Sequence, residues 1–208
     1  MLGLIEKYPA VSIYSSQYAV YKNGVVCPSK KILSDNIGKD SCFDFIRLGV
    51  TLKYVPINSS NVIFRKSILQ KSGIFDERIS FYEDYDLFLR IGVFSELAYL
   101  EMGPLCFYCQ DIDVSKRANG KLPPFNKHLI WYLEKFEPFY SKNTYLKRFI
   151  EQFVLNNLYL FRNNNYYSAK NKQLLKTISI RRYSFKHLVK YYAPNFIVNI
   201  MCKSLPES

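Results

Sequence analysis

Apolar residues follow two different spacings along this chain, and the change from one spacing to the other divides the sequence. Residues 11–21 are rich in β-forming residues and end in Asn23-Gly24, a dipeptide typical of a tight β-hairpin. After residue 115 the spacing becomes helical, most clearly over 145–161. The pattern predicts further strands over 54–64, 97–101 and 105–109. It predicts further helices over 2–8, 42–48, 66–72, 126–140, 166–178 and 185–192. Such mixing of strands and helices before residue 115 predicts an α/β layer.

The charge distribution supports the same division. The 208 residues carry a net charge of +12, but residues 1–115 hold 12 Lys and Arg against 13 Asp and Glu. Residues 116–208 hold 17 against 4. Turn-forming residues follow the break, at Asn119-Gly120 and Pro123-Pro124. We therefore place one domain at 1–115 and a basic helical region at 116–208.

A tight acidic cluster precedes a short amphipathic helix in the first domain. Gly73 is suited to end the preceding helix, and the apolar spacing from Tyr85 to Ile91 predicts the next one. Glu83 and Asp84 then fall in its first turn, where free N–H groups favour carboxylates. Asp86 and Arg90 are four residues apart and can form an ion pair along the helix. On this pattern alone, the cluster is either a helix cap with a surface pair or a site of acid–base chemistry.

Three segments that occur in a fixed order along the chain favour the interpretation of the acidic cluster as a site of acid–base chemistry. Phe64-Arg65-Lys66-Ser67, Gly73-Ile74-Phe75-Asp76-Glu77 and Glu83-Asp84-Tyr85-Asp86-Leu87 resemble the acceptor-side half of family-2 (GT-A) glycosyltransferases. The resemblance covers residues 58–115 and, more loosely, 1–21. It implies that residues 1–115 form a partial GT-A, Rossmann-like mixed sheet layer.

The resemblance also implies a reaction and a set of roles. The reaction is inverting transfer of a sugar from a nucleotide-sugar donor to a glycan or lipid-linked acceptor. Asp84 occupies the position of the catalytic base, which accepts the proton of the attacking hydroxyl. Glu83, Asp86 and Arg90 are the implied substrate-binding residues, and Arg90 has a second, structural interpretation as the partner of Asp86.

Two departures from the family bear on the metal and the donor. Family members carry an earlier D-x-D motif that holds Mg²⁺ or Mn²⁺ on the donor diphosphate, and the main ligands of that metal are absent from this sequence. Asp111-Ile112-Asp113 has D-x-D spacing but comes too late in the family order, and Cys109 stands where an arginine is expected. The expectation is a truncated or split member that is inactive alone.

The remaining chemistry is sparse. Five scattered cysteines fit reduced thiols better than a disulfide framework. Cys106 and Cys109 form a lone C-x-x-C on a predicted strand, and we interpret both as buried or half-buried thiols. No apolar run approaches the ~18 residues of a membrane span, and the N-terminus lacks the pattern of a signal peptide, so we expect a cytoplasmic location.

The basic region at 116–208 supports a competing function. Its interleaved Lys, Arg, Tyr and Phe fit either a solvated helix face or a surface that binds the anionic inner face of the cell membrane. No nucleic-acid partner is expected, because there is no RNA-binding aromatic signature, zinc finger or clear helix-turn-helix. The alternative to an enzyme is therefore a binding or scaffolding module that acts at a membrane surface or on a partner protein.

Overall fold

The computed structural model describes residues 1–28, 40–53, 55, 57–79, 82–111 and 132–162, with the isolated positions 173 and 178. Contacts divide the chain into two compact units, residues 1–123 with 139–149 and residues 124–138 with 150–208. The predicted boundary at residue 115 falls outside the described ranges and stays a prediction.

The first unit is a mixed α/β structure, as the sequence predicts. A short 3₁₀ turn, Lys66–Ile68, directly precedes helix α3 (Leu69–Ser72). The strands are β1 (Ile13–Ser16), β2 (Tyr18–Lys22), β3 (Val25–Pro28), β4 (Asp40–Phe43), β5 (Val62–Phe64), β6 (Leu97–Leu100) and β7 (Cys106–Cys109). The helices are α1 (Leu2–Lys7), α2 (Phe45–Leu52), α3 (Leu69–Ser72) and α4 (Glu83–Gly92).

The larger sheet has the strand order β4-β6-β1-β5. Strand β1 runs parallel to β6, with Ile13 opposite Leu97, and antiparallel to β5, with Ile13 opposite Phe64. Strand β4 is antiparallel to β6. Every residue of β1 is buried, as expected for a strand with a partner on each side.

The smaller sheet has the order β3-β2-β7. Asn23 and Gly24 connect β2 to β3 with φ of 53° and 75°, the left-handed conformations that a two-residue hairpin turn needs. The predicted hairpin is therefore confirmed. Strand β2 runs parallel to β7, with Tyr18 opposite Cys106.

Gln17 is the point at which the strand pairing passes from one sheet to the other. Its N–H donates to the carbonyl of Leu100 at 3.0 Å, and its carbonyl accepts the N–H of Leu105 at 3.0 Å. The continuous segment β1–β2 therefore pairs in parallel with the continuous segment β6–β7, β1 with β6 in the larger sheet and β2 with β7 in the smaller one.

The predicted helix over 42–48 is wrong at its start. Residues 40–43 form β4 because their backbone pairs with β6, a partner distant in sequence. The helix begins only after Asp44, whose carboxylate accepts the N–H of Arg47 at 2.9 Å and so caps α2. The strand region predicted over 54–64 has expected interruptions at Pro56 and at Asn58-Ser59-Ser60, and among its described positions residues 62–64 form β5.

Helices α2 and α4 approach closely at Gly92. A Cβ atom at this position would lie 2.3 Å from Cδ1 of the Phe45 ring, far inside contact distance. The apolar side of α4 is fully buried, through Leu87, Phe88, Leu89 and Ile91. Glycine at the last position of α4 therefore sets how deeply this helix packs.

A charged contact fastens α1 to β4. Asp40 accepts from Lys7 Nζ at 2.5 Å and from the Tyr8 hydroxyl at 2.9 Å. These two donors lower the pKa of the Asp40 carboxyl. We call these three residues the Asp40 cluster.

The second unit is helical in its described part. Residues 132–136 are helical, and the Tyr132 ring packs on the rings of Phe136 and Phe153 at 5.6 Å and 5.1 Å between centroids. Helix α5 spans Leu146–Arg162, with residues 146–149 assigned to the first unit and the rest to the second, and it confirms the helix predicted over 145–161. The helices predicted over 166–178 and 185–192 lie outside the described residues, apart from the two isolated positions. Among the helices that the structure describes, none is long and apolar enough to cross a bilayer.

Candidate active site

The acidic cluster lies where the sequence predicts it, in the first turn of α4. The helix starts at Glu83, directly after Tyr82, whose φ of 62° and ψ of 25° are left-handed. A tyrosine rarely adopts this conformation, and its cost must be offset by the surrounding packing. Glu83 is exposed and Asp84 is half-buried. The backbone therefore turns sharply just before the two carboxylates and presents them at the helix start.

Asp84 is fixed by two hydrogen bonds, one to each carboxylate oxygen. Oδ1 accepts the N–H of Tyr85 at 2.8 Å, and Oδ2 accepts the hydroxyl of Ser59 at 3.0 Å. The first bond satisfies one of the free N–H groups of the helix, so Asp84 does act within the cap. A carboxylate has about four acceptor positions, so this one can also accept a hydrogen bond from a bound hydroxyl.

Ser59 is a site residue that sequence reasoning missed. It lies in a turn whose two asparagines are both used structurally. Asn61 Nδ2 donates to the carbonyl of Ser16 at 2.8 Å, and Asn61 Oδ1 accepts the N–H of Asn58 at 2.7 Å. The turn is thereby held at the end of β1. The paired asparagines around two serines were the available signal, since such residues favour ordered turns.

Asp86 and Arg90 are brought together in the interior, which confirms the predicted pair. Asp86 is 0% exposed and Arg90 is 6% exposed. Arg90 Nη2 and Nε donate to Asp86 Oδ2 at 2.6 Å and 2.9 Å. Arg90 also donates to the carbonyls of Ser72 and Ile74, the latter at 2.8 Å. These bonds tie the glycine turn to α4 and support the structural interpretation of Arg90.

The turn itself is shaped to fit this arginine. Gly73 has φ of 75°, and a Cβ atom there would lie 3.2 Å from Arg90 Nη1. Glycine meets both the backbone requirement and the close approach. The G-x-F-D-E segment and α4 therefore form one connected support beneath Asp84.

Tyrosines surround the start of α4. The rings of Tyr82 and Tyr85 lie 5.1 Å apart between centroids. Burial raises the pKa of Tyr85, and the nearby Tyr82, Asp84, Tyr18 and Tyr108 raise it further. The raised pKa keeps the Tyr85 phenol neutral at physiological pH. Tyr18 and Tyr108 come from β2 and β7, and no local sequence pattern indicated that they would join the site.

The described residues do not offer a ligand set for a divalent cation. Of the D-x-D pair in α4, Asp84 binds Ser59 while Asp86 is paired with Arg90. The carboxylate of Asp111 accepts from the N–H groups of Asn23 and Gly24 and so caps the hairpin turn. Within the described ranges, no three His, Cys, Asp or Glu side chains are grouped as metal ligands would be.

The C-x-x-C lies on β7, as predicted, where residues three apart point to opposite faces. Cys106 is half-buried, and burial raises its pKa. The interpretation of Cys109 as a buried or half-buried thiol is wrong, because this residue is exposed near the end of the strand.

The chain was compared with models of protein families, with curated proteins and with solved structures, and nothing among them matches it.

Proposed function

We propose that this chain is the acceptor-side half of an inverting glycosyltransferase of the GT-A type. The observation that carries the proposal is the geometry of Asp84, a half-buried carboxylate at a helix start that is fixed through both oxygens. A general base needs a defined direction and access to the hydroxyl that it deprotonates. Asp84 meets both needs, and the order of the surrounding segments supports the same family.

In the proposed reaction, an acceptor hydroxyl donates a hydrogen bond to Asp84 and attacks the anomeric carbon of the donor sugar. The new C–O bond forms as the bond to the nucleotide diphosphate breaks, and the diphosphate leaves with the electron pair. The hydroxyl proton passes to Asp84. Ser59 and the Tyr85 N–H hold the carboxylate in direction throughout.

The other residues of the predicted site support this base in different ways. Glu83 is exposed at the helix start, and its proposed role is to orient the acceptor. Asp86 and Arg90 lie in the interior and keep the glycine turn against α4. Their contribution to substrate binding is therefore made through the position of Asp84. The proposal implies that a divalent metal and the nucleotide are held by the donor-binding half of such an enzyme.

The test uses the chain fused behind the donor-binding half of a family-2 enzyme. Asp84→Asn preserves the shape of the side chain, so we expect an almost unchanged melting temperature and a loss of transfer of ~10²–10⁴-fold. Glu83→Gln is the matched control on the same turn and should lose less. Near wild-type transfer by Asp84→Asn, or a loss that only follows its melting temperature, would show that the carboxylate is structural.

A second candidate function rests on the charge asymmetry of the chain. The 17 Lys and Arg against 4 Asp and Glu in residues 116–208 suit an anionic membrane surface. In this alternative, the chain is a binding or scaffolding module without turnover. We expect the full chain to bind vesicles containing phosphatidylserine and to release them as salt rises, since exposed charges are screened within ~10 Å at 0.1 M. Equal binding to neutral vesicles would contradict the electrostatic account.

A further inference from the structure

One face of the smaller sheet carries tyrosines next to the start of α4. Strand pairing sets Val20 opposite Tyr108 and Tyr18 opposite Cys106. Because side chains alternate along a strand, Tyr18, Val20 and Tyr108 lie on the same face. Tyr108 is 40% exposed, so its ring is available to a ligand.

This face continues into the surroundings of Asp84. Burial raises the pKa of Tyr85 most, and Tyr18 and Tyr108 are near enough to raise it further. The Tyr85 ring packs on Tyr82 at 5.1 Å between ring centroids. The same residue donates its backbone N–H to Asp84 at 2.8 Å. Tyr85 therefore joins the tyrosines of the sheet to the proposed base.

The chemistry of this face selects its ligand. On β2 and β7 the only charged residue of the face is Lys22, which lies at the far end of β2. The face thus combines aromatic rings and phenol hydroxyls. A pyranose ring has matching properties, since it presents a C–H surface for stacking and hydroxyls at its rim. Within β2 and β7, a phosphate or a carboxylate would find only Lys22 as a cationic partner on this face.

We propose that Tyr108 and Tyr18 form a stacking platform that holds one neutral pyranose ring of the acceptor, with a hydroxyl directed toward Asp84. Transfer of the proton from that hydroxyl to Asp84 rests on the proposed function. Binding of the sugar does not rest on it, because binding requires no donor and no turnover. Tyr108, as the more exposed ring, sets which sugars are accepted.

The platform is tested on the full chain by saturation-transfer NMR with the methyl pyranosides of glucose, galactose, mannose and N-acetylglucosamine. We expect at least one sugar to receive saturation through its ring protons. Tyr108→Ala should weaken that binding roughly two- to tenfold, the range expected for loss of an aromatic contact. Tyr108→Phe should retain most of it, because the ring remains.

The matched control is Tyr21→Ala. Tyr21 has nearly the same exposed fraction as Tyr108, 36% against 40%, but its side chain lies on the opposite face of the same sheet. Its loss should leave sugar binding unchanged. No saturation of any sugar, or an equal effect of Tyr21→Ala and Tyr108→Ala, would overturn the platform.

The fused enzyme separates this inference from the proposed function. Transfer that needs Asp84 but has a KM insensitive to Tyr108→Ala would refute the platform and leave the base in place. Sugar binding that needs Tyr108, in a fusion that transfers nothing, would refute the enzyme and leave the platform.

Discussion

Removal of the Arg90 side chain is expected to cause a large loss of stability. Arg90→Ala would leave the Asp86 carboxylate, which is 0% exposed, without its charge partner, and would remove donors from the carbonyls of Ser72 and Ile74. Breaking a buried ion pair from one side costs ~3–5 kcal/mol. In a domain of this size each kcal/mol lowers the melting temperature by about 2–4 °C. The expected fall is therefore ~6–20 °C.

The chain contains a second Asp–Arg pair, with a more exposed arginine, for comparison. Arg78 Nη2 lies 2.8 Å from Asp76 Oδ2, against 2.6 Å in the buried pair, but the Arg78 side chain is 75% exposed and that of Asp76 is 14% exposed. An ion pair open to solvent on its arginine side contributes less than a fully buried one, so Arg78→Ala should lower the melting temperature much less than Arg90→Ala. The assay is thermal unfolding followed by circular dichroism. Similar small shifts for both variants would refute the reasoning that burial makes Arg90 a support of the site.

Three further outcomes are expected. Gly92→Ala should lower the free energy of unfolding by ~1–3 kcal/mol in chemical unfolding, because the added methyl group meets the Phe45 ring. An equal or higher stability of the variant would show that α2 and α4 can separate at no cost. Asp40→Asn should reduce stability near pH 7, because the lowered pKa of the Asp40 carboxyl stabilises the fold above the unfolded value of ~3.9, and this difference should shrink as the pH falls through the folded pKa. A difference in melting temperature that stays constant as the solution is acidified would contradict it. Burial and the nearby Glu96 raise the pKa of Cys42 to about 11. Iodoacetamide at pH 8 should therefore modify the exposed Cys27 well before Cys42, as measured by mass spectrometry of the peptides, and equal rates of modification would contradict this order.

The sequence predicted those parts of the fold that depend on local chemistry. Asn23-Gly24 forms the hairpin because both residues tolerate positive φ, and Gly73 ends α3 for the same reason. Helix α4 and the Asp86–Arg90 pair followed from residue spacing alone. In each case the decisive contacts lie within a few residues of one another.

The parts that sequence reasoning missed depend on distant contacts. Residues 40–43 are a strand because β6 supplies their partner, which overrides the helical spacing around Phe43 and Ile46. Tyr18 and Tyr108 reach the site because β2 and β7 pair in parallel. Parallel pairing has no short turn to indicate it in the sequence, so neither tyrosine could be assigned beforehand.

The crossing at Gln17 has a consequence for the order in which the chain folds. Strands β1 and β2 both require parallel partners made much later in synthesis, and Ser12 and Ser95, which are hydrogen bonded beside them, are 83 residues apart. A nascent chain that has not yet released β6 and β7 has neither sheet complete. The tyrosine face therefore forms in a late step that must close a long loop, whereas the bonds of Arg90 that join the glycine turn to α4 span at most 18 residues and can form earlier.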